Sequence, residues 1–276
     1  MNGARRAPYN YMNKPRALMV TGFGINCDYE TGFALSMKGA EMEVDACHLN
    51  DLVADPSRLD RAHLFVIPGG FSYGDHIASG RVLGNRLKAR VGEAILRFKN
   101  EGKLILGICN GFQVLVKMGL LPGSENGSWK QTTTLTRNDS GRFEDRWVHL
   151  HVRPDNRCVF LEGVEKLYFP IRHGEGKMVF AQGELAKVRS EGLDVLHYAN
   201  EDGNPTDEYP ANPNGSEGNV AGMCDKTGRV FGLMPHPEAF LHRTNHPTWT
   251  REELPEEGQG VAIFRNAANY VRRELV

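Results

Sequence analysis

The 276-residue chain has no C-x-x-C pair. Its five cysteines, Cys27, Cys47, Cys109, Cys158 and Cys224, are scattered, which argues against a zinc ribbon. It has little net charge, -1 from 33 basic and 34 acidic residues, so nothing points to a nucleic acid or an anionic membrane surface as partner. It has no apolar run approaching the length of a membrane span. It has no Walker A loop, so no ATP site is expected on it. The first fifteen residues carry Arg5 and Arg6 but no apolar stretch behind them, so they are expected to form an arm (1–15) rather than an export signal. An odd cysteine count without such a signal fits a reducing, cytoplasmic compartment. Three N-x-S/T sequons, at Asn126, Asn138 and Asn214, are then chance matches in loops.

What is present reads as alternating strands and helices. Short apolar runs over 16–21, 41–47, 63–67 and 104–108 predict buried strands. Helical spacing follows over 28–39, 77–100 and 110–118, with Val82, Leu83, Leu87, Val91, Ile95, Leu96 and Phe98 forming one stripe. This order predicts an α/β fold, a mostly parallel central sheet flanked by helices, with ligands at the carboxyl ends of its strands. Beyond residue 123 the texture changes. Strand-like stretches at 131–136, 143–152, 166–171 and 177–181 predict an antiparallel extension of the same domain, 16–276. A hairpin is expected over 219–234 and a last helix over 260–275, while the turn-rich 206–219 reads as a loop. Gly22 and Gly24 follow the first strand, but Cys27 stands where a dinucleotide fingerprint needs its third glycine.

Cys109 sits where the run 104–108 meets the helix 110–118, with Gly107 and Gly111 two residues to either side. This G-x-C-x-G is the nucleophile-elbow pattern with Cys in place of Ser. The turn brings backbone too close for side chains, hence the glycines. It leaves the sulfur over a helix N-terminus, which favours thiolate. Alternatively, Cys109 is a small buried hydrophobe, as most free cysteines are. Two further motifs bear on that choice. In His236-Pro237-Glu238, residues i and i+2 of an extended backbone point the same way, so a carboxylate can orient an imidazole. Pro68-Gly69-Gly70 follows a buried strand. Its N–H groups, with that of Asn110, can form an oxyanion hole, or the glycines can serve only a tight turn.

The motifs P-G-G-F-S-Y-G-D (68–75), G-I-C-N-G-F-Q (107–113), H-G-E-G-K (173–177), N-P-N-G-S (212–216) and M-P-H-P-E (234–238) occur in this order. Over 16–275 the chain resembles the class I, triad-type, glutamine amidotransferases, whose fold is flavodoxin-like. More narrowly, it resembles the glutaminase subunits that serve a synthetase of purine biosynthesis. The resemblance implies that Cys109 attacks the carboxamide of glutamine, His236 moves the proton and Glu238 orients it. Gly70 and Asn110 would hold the oxyanion. Gly69, Phe71, Gln113, Arg172, His173, Gly174 and Glu175 would bind glutamine. It also implies a synthetase partner that holds ATP and Mg, uses the ammonia to turn formylglycinamide ribonucleotide into the amidine, and can work with a small third subunit. No metal or cofactor is expected on this chain.

The chain departs from that pattern in two places. Ala239 follows H-P-E where the family usually has Arg, and 242–259 is longer than in the compact family form. His242 and His246 there are a candidate metal clamp or a surface loop. The competing functions are a stand-alone cysteine hydrolase of similar fold and a catalytically silent scaffold subunit.

Overall fold

The computed structural model describes residues 14–75, 77–123 and 129–276. All but the last two residues of the predicted arm, and the sequon at Asn126, lie outside them. The chain begins β1 (Arg16–Thr21), α1 (Asp28–Ser36), β2 (Glu43–His48), α2 (Leu49–Ala54), β3 (Leu64–Ile67), α3 (Arg81–Asn100), β4 (Leu104–Ile108) and α4 (Asn110–Met118). It continues β5 (Thr133–Thr136), β6 (Glu144–Val152), β7 (Lys166–His173), β8 (Lys177–Phe180), α5 (Glu184–Ser190), β9 (Leu196–Ala199), β10 (Val220–Cys224), β11 (Val230–Leu233) and α6 (Val261–Glu274).

Nine strands form one sheet in the order β2-β1-β3-β4-β11-β10-β9-β6-β7, and β5 pairs with β8 apart from it. The strands β2, β1, β3, β4 and β11 run parallel. From β11 onward through β10, β9, β6 and β7 each pairing is antiparallel. Every residue of β3 and β4 is buried, as expected where helices cover both faces. In β6 burial falls on alternate residues, Val148, Leu150 and Val152, with Glu144 at its start also buried, so one face meets solvent or loops. One continuous hydrophobic core joins both halves.

The structure revises several predicted boundaries. α3 begins at Arg81, not at residue 77. Gly80 makes a left-handed turn at φ 72°, a Cβ there would meet Val114 N at 2.9 Å, and Ile77 is exposed. α1 stops at Ser36 and β2 starts at Glu43, because Gly39 and Glu41 both turn through positive φ. Three short elements, α2, α5 and β9, lie outside the predicted set. Stretch 206–219 lacks regular structure except for a 3-10 turn at its end, but Asn212, Asn214 and Ser216 in it are buried.

Candidate active site

β4 and β11 are parallel neighbours, with Ile108 level with Leu233. The chain leaves both at one sheet edge, which brings Cys109 and His236 together from 127 positions apart in sequence. Cys109 N–H donates to Leu233 O at 2.8 Å and His236 N–H to Pro170 O at 2.9 Å. The nucleophile's end of the sheet is thus stitched to β11, and the imidazole's backbone to β7.

Cys109 adopts φ 50°, ψ −103°, a strained conformation for a residue with a side chain. The glycines around it cannot be replaced without movement. A Cβ on Gly111 would lie 1.8 Å from Ile67 O, and one on Gly107 2.6 Å from Gly111 O. This is the elbow in three dimensions, with a sharp turn clamped between β3 and the first turn of α4. The Cys109 thiol is 4 % exposed and donates to Arg172 O at 3.8 Å.

His236 Nδ1 and Glu238 Oε1 are 2.5 Å apart, both side chains nearly fully buried. Burial disfavours the imidazolium, but the Glu238 carboxylate, then Cys109 and Cys27, outweigh it and hold the His236 pKa well above the ordinary value. His236 is therefore held toward the charged imidazolium, which suits a proton carrier beside a nucleophile. Gly69 makes room for this ring, since a Cβ there would meet His236 Cε1 at 2.8 Å.

Among the described residues, the N–H groups of Gly70 and Asn110 donate to no carbonyl or side chain. Gly70, at φ 145°, lies against Gly24 and Asn26, and Asn110 opens α4. Helix-start N–H groups have no intrahelical acceptor, so this donor at least is available to an oxyanion.

The candidate glutamine-binding residues divide into two sets. Phe71, Gly174 and Glu175 line an open cavity of about 360 Å³ together with Asp75, Ser79, Arg137, Arg142 and Phe143. Gly69, Gln113, Arg172 and His173 do not line it. The Gln113 side chain is engaged at both ends, its Oε1 accepting from Asn110 Nδ2 at 2.9 Å and its Nε2 donating to Glu175 O at 2.5 Å. Asn110 Oδ1 in turn accepts from Ser72 N–H at 3.4 Å, and Glu175 Oε2 from Ser79 N–H at 3.1 Å. This clasp ties the 71–79 turn to segment 172–176 through the elbow helix.

His173 is buried beneath that segment. Asn138 Oδ1 accepts from Gly176 N–H, and Asn138 Nδ2 donates to His173 O and Arg142 O, which fixes the amide's orientation. The His173 Nδ1 that meets Oδ1 at 3.1 Å must then carry the proton, leaving Nε2 an unpartnered acceptor. Burial, and then the charge of His236, push the His173 pKa down to about 3.

Several site residues escaped the sequence. Asn138 and Asn214 look like sequons but are buried clamps. Asn214 Nδ2 donates to Tyr198 Oη at 2.9 Å, and Ser216 Oγ accepts from Met178 N–H at 3.0 Å. The N-P-N-G-S motif was visible without a role, and its role is to fasten the 173–178 turn. Cys27, singled out only for lacking a glycine, lies against the His236–Glu238 pair. Of the two readings of His242 and His246, the surface loop fits, since 242–245 are exposed. His242 pairs with Glu256 and Thr244, and His246 with Thr248. Ala239 is half-buried in a 3-10 turn, Pro237–Ala239, with no charge at its position.

A thiol at a strained strand-to-helix elbow, an imidazole–carboxylate pair at the neighbouring strand end and free N–H donors together define a nucleophilic amide- or ester-cleaving site. Comparison with known proteins narrows this. The pattern of the CobB/CobQ-like glutamine amidotransferase domain matches residues 14–271. The phosphoribosylformylglycinamidine synthase subunit PurQ of Dehalococcoides mccartyi is 46% identical over 262 residues, 95% of this chain and 100% of that one. The subunit of the same description from Archaeoglobus fulgidus is 39% identical, covering 91% and 94%. A chain in the solved structure of PurLQS from Thermotoga maritima superposes with a TM-score of 0.68 at 32% identity, covering 94% and 99%. The chain belongs to the glutamine amidotransferase family and, within it, to the PurQ subunits of phosphoribosylformylglycinamidine synthase.

Proposed function

We propose that this chain hydrolyses glutamine and hands the ammonia to a synthetase subunit making formylglycinamidine ribonucleotide in purine biosynthesis. The observation that carries this is the strained Cys109 elbow set beside a buried His236–Glu238 pair on adjacent parallel strands. The Cys109 sulfur attacks the carboxamide carbon, and the oxyanion forms against the N–H groups of Gly70 and Asn110. His236, charged by the thiol proton and steadied by Glu238, gives that proton to the departing ammonia. Neutral again, it takes a proton from water, which hydrolyses the γ-glutamyl thioester. Removing one oxyanion donor typically costs about a hundred- to a thousand-fold in rate.

The amino-acid end of glutamine lies in the cavity lined by Phe71, Gly174 and Glu175, with Gly69, Gln113, Arg172 and His173 serving it from outside that lining, Gln113 through its bond to Glu175 O. The partner supplies ATP and Mg, and a small third subunit completes the complex, as the three-letter PurLQS assembly suggests. No helix among the described residues is long and apolar enough to cross a membrane. With a purine-pathway role, this supports a cytoplasmic location.

In Cys109→Ala, glutamine-dependent synthesis by the assembled enzyme should vanish while ammonia-dependent synthesis persists. Loss of both in a folded complex would defeat the division of labour. A glutamine-like diazoketone should label Cys109 alone in the full chain, as read by mass spectrometry. The stand-alone hydrolase and the silent scaffold find no favouring observation.

A further inference from the structure

Cys27 exchanges no proton or bond in the chemistry above, yet its thiol is placed against the catalytic pair. Cys27 Sγ, a ring nitrogen of His236 and a carboxylate oxygen of Glu238 all lie within 4.8 Å of one another, and all three residues are buried. Among the described residues no other trio of Cys, His or carboxylate side chains comes so close. The placement is fixed by backbone. Cys27 N–H donates to Gly69 O at 3.2 Å and Cys27 O accepts from Thr31 Oγ1 at 2.6 Å, so the thiol cannot drift from the Gly69 turn that cradles the imidazole. A Cβ on Gly69 would touch both, His236 Cε1 at 2.8 Å and Cys27 Sγ at 3.2 Å.

Two lone-pair donors in this cluster are unpaired. His236 Nε2 and Glu238 Oε2 are buried without a hydrogen-bond partner, in residues only 2 % and 3 % exposed. Buried polar atoms without partners are uncommon and call for a ligand or a function. Catalysis uses His236 Nε2, but it leaves Glu238 Oε2 and the Cys27 sulfur unexplained. One thiolate, one imidazole and one carboxylate are the donor set of a three-ligand zinc site with an open fourth position. Tetrahedral zinc sets such donors about 3.5 Å apart, so the observed spacing needs a shift of about 1 Å or less.

We propose that Cys27, His236 and Glu238 form an inhibitory site for a thiophilic divalent cation such as zinc. The ion takes the lone pairs that catalysis needs, since His236 cannot accept a proton while it ligates. Cys27 adds the soft ligand that makes this pair a metal trap rather than only a general base. Binding displaces the Cys27 thiol proton and the proton held by the His236 ring, both released to solvent. Hard ions such as Mg have no preference for this donor set.

The test has two readouts, and only the first rests on the glutaminase reading. In the first, ZnCl₂ is titrated against glutamine hydrolysis by the native enzyme, Cys27→Ser and Cys27→Ala. The native enzyme should be inhibited. Each variant, measured against its own metal-free rate, should need about tenfold or more zinc for half inhibition. Equal midpoints would mean that Cys109 and His236 alone capture the metal, and would overturn the proposal. So would an uninhibited native enzyme. In the second, Co²⁺ is added to the full chain carrying Cys109→Ala, which removes the competing nucleophile. A thiolate-to-cobalt charge-transfer band should appear there and vanish when Cys27→Ser is added. A band that survives, or none in the single variant, overturns the site whether or not the chain cleaves glutamine.

Discussion

The two halves of the main sheet do different work. The parallel half, β2-β1-β3-β4-β11, has its central strands buried on both faces and carries Cys109 and His236, the proposed nucleophile and base, beyond its strand ends. The antiparallel half, β10-β9-β6-β7, carries no reacting group. Through β7 it delivers segment 172–176, whose backbone accepts the Cys109 thiol and the Gln113 amide. The parallel half positions its residues by strand register and close glycine contacts. The antiparallel half positions its segment by side-chain clamps, Asn138, Asn214 and Ser216. Register tolerates almost nothing, whereas clamps can be loosened one at a time.

The contrast predicts graded failures. After Cys109→Ala, the largest loss should come from Glu238→Gln, which keeps the shape but removes the charge that holds the imidazolium. The glutaminase rate should fall by about a thousand- to ten-thousand-fold with little change in KM, in steady-state kinetics. Gly111→Ala forces a Cβ onto Ile67 O. It should destabilise the fold by about 3 kcal/mol or more in urea unfolding and abolish diazoketone labelling. Asn138→Ala breaks four bonds of the clamp but touches no reacting atom. It should cost about 1 to 3 kcal/mol of stability and raise KM for glutamine more than it lowers kcat. An equal loss in kcat would erase the distinction between the halves.

A last effect, read against pH rather than in rate, concerns His173. Its folded pKa of about 3 lies below the ordinary 6.5, so between these values the unfolded chain binds a proton that the folded chain refuses. Stability should therefore fall as pH drops from about 6.5 toward 3, and the part due to His173 should be missing in His173→Gln. Urea midpoints measured across that range check the slope. His236 works in the opposite sense. Its raised pKa gives stability that is complete below the ordinary value and lost as pH rises through the folded one.

This division also decided what the sequence revealed. The parallel half was legible because its signals are local: apolar runs of four to six residues, glycines around Cys109, proline between His236 and Glu238. β4 and α4 fall where periodicity put them. The sheet order across β11 was not legible, because no local pattern states which strand lies beside β4. The clamps were hidden for a related reason. Asn138, Asn214 and Ser216 are turn residues by composition, and only tertiary burial turns them into supports. Gln113 was assigned to glutamine from its place one turn past the nucleophile, and no local pattern foretold that its amide also meets Asn110 and Glu175. Cys27 was missed because a thiol in a glycine-rich turn has no sequence signature for facing an imidazole.

The adjacency of β4 and β11 also orders events during synthesis. Cys109 is added with less than half the chain made, but His236 follows β11, a strand made over a hundred residues later. A nascent or C-terminally clipped chain therefore holds a reactive sulfur with no base beside it. Such a chain can release no ammonia, and premature waste of glutamine is prevented by nothing more than the order in which the strands are born.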